Sequence, residues 1–409
     1  MAPVPPRMDA GRSAVRIAHK PVSERMGREA GRQKLGVVVN PIAGLGGRVG
    51  LKGTDGPETL ARARALGAVP TAGPRCALAL ESLAPLADQI EILVPPGPMG
   101  EDSAVAAGLR PRILTGLPQP MGNGMDTRSA VARFLEEKVD LLLFAGGDGT
   151  ARDVVGVVGM EIPILGVPTG VKMHSAVFGT SPRAAGQTAA QLLGGEPTVR
   201  LREAEVMDLD EEALRHGRVS ASLYGIARVP HARGLVQACK SGARPDDEAA
   251  LDALARVIVR EWPADRLMIL GCGTTTRRIR RAMGFDGTLL GVDVALGGRL
   301  IAADANEAQL LRLLDRAGEG GAGIVASVTG GQGFLFGRGN QQISAEVIRR
   351  VGRDNIMVVT GAAKLATLDP AVLHVDTGSA EVDTMLAGYM KIHTAPGQRM
   401  VMRVGAAAG

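Results

Sequence analysis

The chain has 409 residues, enough for two domains, and 45% of them are apolar, so a sizeable core is expected and wholesale disorder is excluded. Glycine accounts for 56 residues, about twice the usual share, without a G-X-Y period, while six Phe, two Tyr and one Trp are too few rings for a single-strand nucleic-acid platform. Residues 1–34 hold eight Lys/Arg against three Asp/Glu, which accounts for the whole net charge of +5, so the rest of the chain is neutral and offers no basic face for nucleic acid or membrane.

Residues 1–33 read as a disordered basic tail, without the continuous apolar stretch of a secretory signal; the Arg-rich, Pro-containing composition leaves a transit peptide as the alternative. Order begins at Leu35–Asn40, a short apolar run ending in a turn, followed by the Gly-rich loop Pro41–Arg48 and by Leu51–Gly56. Glu58–Leu66 reads as helix and Glu91–Val94 as strand, with a Pro/Gly-rich stretch to Asn123. Asp126 or Thr127 is expected to cap a helix through Lys138. Val139–Ala145 is a strong strand, Gly146–Thr150 ends it, and helix is expected from Ala151 to Val158. Ile162–Val167 is the next strand, and Ser181-Pro182 carries the N-cap and first-turn residues of another helix. This β–loop–α repetition predicts an α/β fold, a parallel sheet flanked by helices, over residues 34–200.

Near residue 200 the texture changes. Glu205–Asp210 and Val219–Val229 read as strands of a ribbon or connector, and Asp246–Trp262 as an amphipathic helix. Strands at Leu267–Leu270, Ile324–Val328 and Ile356–Val359 each lead into a Gly- or Thr-containing loop. Residues 201–409 therefore read as a second α/β domain entered through a β-ribbon. Gln398–Val404 alternates like a last strand whose sheet the pattern does not give.

Three cysteines, Cys76, Cys239 and Cys272, lie far apart without a Cys/His cluster, so neither a disulfide framework nor a structural zinc site is expected, and a reducing cytoplasm fits. No apolar run reaches membrane-spanning length.

The most informative segment is Leu141-Leu-Leu-Phe-Ala-Gly-Gly-Asp-Gly-Thr150. A buried strand delivers glycines around one Asp just before a helix. A phosphate can approach such a backbone, and the helix N-terminus offers free N–H groups and positive dipole. Asp148 can accept a hydroxyl proton or meet Mg²⁺. Asn40, Gly44, Gly46 and Gly47 form a second Gly-rich turn after a strand. Lys172 can neutralise phosphate charge and His174 can orient a hydroxyl. In Gly271–Arg278, Gly273 and the hydroxyls of Thr274, Thr275 and Thr276 precede a basic helix and read as an anion cradle, though not a Walker A loop. In the long loop 329–342, Arg338, Asn340 and Gln341 are candidate ligand contacts, and Asp376 receives no role.

Gly146-Gly-Asp-Gly-Thr150 resembles the signature of the NAD kinase/diacylglycerol kinase superfamily, and Val39–Gly47 resembles its first nucleotide loop. More narrowly, Asn40–Gly56 and Gly166-Val-Pro-Thr-Gly-Val-Lys-Met-His-Ser175 resemble the ATP-NAD kinase-like proteins grouped with acetoin catabolism protein X. The resemblance covers most of residues 35–365. It implies a cytoplasmic kinase that uses Mg²⁺-bound ATP, or polyphosphate, with NAD as the acceptor substrate. Asp148 would be the base for the ribose 2′-hydroxyl, with Gly146, Gly147, Gly149 and Thr150 on the phosphate side. NAD kinases continue into a β-rich second domain with an Asn-Glu acceptor motif. Residues 265–376 read as α/β instead, and no counterpart of that motif stands out. Two rival readings follow, a silent nucleotide-binding accessory or sensor protein and a kinase for another small catabolic metabolite. Expected partners are small-molecule nucleotides, with homo-oligomerisation left open.

Overall fold

Runs such as Leu-Leu-Leu-Phe-Ala-Gly suit strands covered on both faces, because a parallel sheet with helices on either side leaves no polar face. A computed structural model describes residues 32–51, 57–118, 123–170, 173–209, 221–232, 235, 245–328, 332–368 and 371–406. Residues 1–31 of the expected tail lie outside the described residues, as do Lys172 and, in Leu51–Gly56, Lys52 and Asp55, which read from sequence either as phosphate and metal contacts or as a solvated turn.

Five strands form the first sheet: β1 (Gln33–Val39), β2 (Ile90–Val94), β3 (Arg112–Ile113), β4 (Leu141–Gly146) and β5 (Ile164–Pro168). They are all parallel, in the order β3-β2-β1-β4-β5. The order reverses between β1 and β4, and open α/β sheets bind ligands beyond the carboxyl ends of strands at such a switch point. Every residue of β4 is buried. Phe144 and Phe178 meet edge to face, 5.4 Å between centroids, over Gly166, where a Cβ would lie 2.3 Å from the Phe178 ring.

The connecting helices include α1 (Pro57–Ala65), α2 (Ala72–Leu80), α3 (Glu101–Ala106), α4 (Gly124–Glu137), α5 (Asp148–Val158) and, after β5, α6 (Pro182–Leu193). The cap of α4 is Asn123, not Asp126 or Thr127. Asn123 Oδ1 accepts the Met125 N–H at 2.8 Å, while Asp126 reaches back to the Asn123 N–H, a reciprocal box that needs the Asp inside the helix. Ser181 caps α6 as expected, accepting from Ala184 N–H at 3.0 Å. Helix α5 begins at Asp148, one turn before the expected Ala151.

An antiparallel ribbon follows, β6 (Arg200–Leu209) with β7 (Ala221–His231). Its buried Val206, Ala227 and Val229 join the core of the first sheet. The second sheet has nine strands in mixed orientation: β8 (Leu267–Leu270), β9 (Asp293–Leu296), β10 (Arg299–Ala302), β11 (Ala322–Ala326), β12 (Phe334–Phe336), β13 (Ile356–Val359), β14 (Val372–Val375), β15 (Gly388–Ala395) and β16 (Gln398–Ala406). Their order is β10-β9-β8-β11-β13-β15-β16-β14-β12. The last strand, whose sheet the sequence left open, lies between β15 and β14. Helix Pro245–Glu261 covers part of one face through Leu251, Leu254 and Ile258. Both sheets belong to one compact unit, Gln33–Gly409.

Candidate active site

The carboxyl ends of β1 and β4 are stitched together by Asn40. Its N–H donates to Ala145 O (3.0 Å) and its Nδ2 to Thr150 Oγ1 (3.0 Å), while its Oδ1 accepts from Ile42 N–H (3.3 Å). The Gly-rich turn after β1 packs against the segment after β5. Gly44 has φ +76°, and a Cβ there would fall 1.9 Å from Thr169 O, so both conformation and space demand glycine. Gly46 O accepts from Leu51 N–H at 2.9 Å, and Gly47 lies beside Gln341 of the second domain. Gly146 O accepts from the N–H groups of Thr169 (3.0 Å) and Gly170 (3.2 Å). A Cβ on Gly146 would meet Thr150 at 2.4 Å, and Gly147 faces Gly170 backbone to backbone. Gly149 sits in the first turn of α5, near Arg152.

Asp148 is the first residue of α5 and is 7% exposed. Its Oδ2 accepts from His174 N–H (2.7 Å) and its Oδ1 from Ser175 N–H (3.0 Å). These charge-assisted bonds, with the helix dipole behind them, hold the carboxylate in one orientation. The His174 ring is buried, with Nδ1 3.5 Å from Asp148 Oδ2 and without a hydrogen-bond partner. Asp153, one turn further along α5, is paired with Arg128 at 2.8 Å. The structure therefore brings together Asn40, Gly44, Gly146, Gly147, Asp148, Thr150 and His174. An ionised carboxylate accepts about four hydrogen bonds. The two that Asp148 makes leave capacity for a proton or a cation. Among the described residues no group of three or more His, Cys, Asp or Glu is arranged to hold a metal.

The 271–276 loop is built differently. Gly273, φ +119°, precedes helix Thr274–Ala282. Thr276 Oγ1 donates to Gly271 O at 2.6 Å, Thr275 is buried, and Thr274 is exposed. Arg280, nearly two turns into the helix, is fully buried, with Nε 2.6 Å from Asp293 Oδ2 and Nη2 donating to Leu270 O (3.0 Å) and Gly271 O (2.8 Å). Burial pulls the Arg280 pKa below its usual value, while Asp293 opposes that shift. Cys272 Sγ donates to Gly339 O at 2.9 Å, so this loop borders the 332–342 loop, which in turn reaches Gly170 through Gln341 (3.4 Å).

Two residues that sequence reasoning passed over stand out. Arg75 of α2 meets Asp376, just beyond β14, at 3.3 and 2.5 Å. Burial raises the Asp376 carboxyl, but the charges of Arg75 and Arg338 outweigh it and leave the pKa below the usual range. The available signal was a single Arg in the apolar helix Ala-Gly-Pro-Arg-Cys-Ala-Leu-Ala-Leu, since a guanidinium drawn partly out of water favours an anion beside it. Arg338 is buried 3.7 Å from Asp376, and the Asn340 amide serves its own turn, donating to Leu335 O and accepting from Gly337 N–H. An Asn-Glu pair does exist at Asn306-Glu307. The Glu307 N–H donates to Arg48 O (3.3 Å), whereas Asn306 Oδ1 caps helix Glu307–Ala317. A cavity of about 460 Å³ opens there, lined by residues including Gly50, Arg62, Asp304, Asn306 and Gln309.

Two family models match the chain, ATP-NAD kinase N-terminal domain over residues 35–197 and ATP-NAD kinase C-terminal domain over residues 265–404. Comparison with curated proteins and with solved structures gives no match. Among the described residues no helix is long and apolar enough to cross a membrane.

Proposed function

The chain belongs to the ATP-NAD kinase family, a family of phosphotransferases, and on that premise we propose that it transfers the γ-phosphoryl group of ATP to the 2′-hydroxyl of NAD. The observation that supports this reading is Asp148, a carboxylate at the sheet's switch point, oriented by two backbone N–H groups and with acceptor capacity to spare. In the proposed step Asp148 takes the proton of the acceptor hydroxyl. That oxygen bonds to the γ-phosphorus, the bond from this phosphorus to the β,γ-bridging oxygen breaks, and ADP leaves with the electron pair. Such transfer depends on positioning and charge neutralisation more than on covalent chemistry. Mg²⁺ carried on the ATP phosphates would neutralise charge there, and such a magnesium needs few protein ligands, which suits a turn with a single Asp. The Gly-rich turns at 40–47 and 146–150 offer backbone to the phosphates, with Lys172 and the 273–276 loop as further anion contacts.

The test is incubation with Mg-ATP and NAD, with polyphosphate as an alternative donor, reading NADP by an NADP-specific enzyme. Wild type should form NADP, and Asp148→Asn should lose about 10²–10⁴-fold in kcat. Full turnover by Asp148→Asn would exclude this mechanism. A second reading has its own observation: both Asp148 oxygens already hold backbone N–H groups, as a purely structural clamp would. A nucleotide-dependent rise in melting temperature without any phosphorylated product would favour that silent binding protein. The resemblance to proteins grouped with acetoin catabolism protein X makes small hydroxylated catabolic metabolites the next acceptors to try.

A further inference from the structure

Asp148 takes its orientation from the N–H groups of His174 and Ser175, so whatever fixes that backbone also aims the carboxylate. The carbonyls on either side are held by side chains. Gln332 Nε2 donates to Met173 O (2.7 Å), Gln341 Nε2 to Gly170 O (3.4 Å) and Arg338 Nη2 to Thr180 O (3.1 Å), all from the second domain. Arg75 Nε donates to Pro168 O (2.6 Å), and its guanidinium is in turn held by Asp376. Arg338 stacks on Phe334, 4.6 Å from the ring centroid, and approaches the same Asp376 carboxylate. Gln332, Arg338 and Asp376 are all buried.

The Gln332 contact is the most direct. Met173 C=O and His174 N–H belong to one planar peptide unit, pointing in opposite directions. Gln332 therefore grips one end of the group whose other end holds Asp148 Oδ2. Hydrogen bonds in series polarise one another, so the amide also strengthens the N–H that faces the carboxylate.

We infer that Gln332, together with the Arg338–Asp376 pair, positions Asp148 for phosphoryl transfer by fixing the backbone around His174 and Ser175 from the second domain. This rests on the reading of Asp148 as the acceptor's base. These are positioning residues, since they act through the peptide backbone and not on the reacting atoms.

Gln332→Leu keeps the bulk and removes the donor. Its kcat should fall about tenfold, the size expected for one lost hydrogen bond, with KM for both substrates within about twofold. Hydrogen–deuterium exchange of peptides covering 173–177 should speed up about tenfold, while α6 keeps its protection. Asp376→Asn should speed exchange at the same peptides, and Arg112→Ala, at an exposed ion pair, should leave both readouts unchanged. An unchanged kcat and unchanged exchange in Gln332→Leu would overturn the inference. So would a kcat loss matched by faster exchange throughout α6, because that reports general loosening. If the wild type phosphorylates nothing, the exchange result still decides the grip, and it is the kinase reading that fails.

Discussion

The turns at 146–150 and 271–276 are both strand–glycine–helix junctions with polar residues in the first helical turn, yet their polar atoms go to different places. In the first, Asp148 reaches out to the backbone of another segment, the one carrying His174 and Ser175. In the second, Thr276 and Arg280 turn inward to the carbonyls of their own loop, and Asp293 neutralises the arginine. One junction holds a carboxylate ready between segments, and the other fastens a loop to its own sheet. A Gly/Thr/Arg pattern marks a strand–helix junction, but not whether its donors remain for a ligand.

The comparison breaks first at Arg280. Arg280→Met keeps much of the volume but leaves Asp293 buried without its cation, and should cost about 3–5 kcal/mol in denaturant unfolding, toward the lower end because Thr288 and the Asp304 N–H still donate to Asp293. A loss below about 1 kcal/mol would mean that the pair does not fasten the loop. Behind the first junction, acid should loosen the second domain's grip through His374. Burial, aided by the Arg338 charge, pushes its pKa down to about 4. The unfolded chain then takes up a proton between about pH 6.5 and 4 that the folded chain refuses, so stability falls with pH across that window, by about 3 kcal/mol in all. His374→Phe, which can still pack on Phe334, should flatten the melting temperature over this range; an unchanged slope would put the acid sensitivity elsewhere. The smallest effect sharpens the second junction. Thr274 carries the loop's exposed hydroxyl, so Thr274→Ala should leave stability within about 0.5 kcal/mol while raising the KM for ATP two- to fivefold. An unchanged KM would remove 273–276 from the nucleotide site.

The misread elements have specific causes. Helix α2 was hidden because Gly73-Pro74 reads as a breaker, although proline in a first turn gives up an N–H that has no helical partner anyway. The β9–β10 hairpin was legible in hindsight, since Gly297 and Gly298, both at positive φ, make the two-residue turn between apolar strands. The early start of α5 matters more, because it puts Asp148 inside the helix, where the dipole acts on its carboxylate.

By itself the sequence determined four of the five strands of the parallel sheet, the turn that bears Asp148 and the family resemblance, because buried strands need unbroken apolar runs and close backbone approach needs glycine; the fifth, β3, is two exposed residues and leaves no such run. Tertiary structure decided the rest. That Asp148 meets the N–H groups of residues 174 and 175, that Gln332 reaches Met173 from 159 positions away and that Arg75 finds Asp376 from 301 positions away are matters of spatial convergence. Side-chain hydrogen bonds and ion pairs of this kind leave no periodicity in the chain, since each is fixed only when two separately folded segments come to rest against each other.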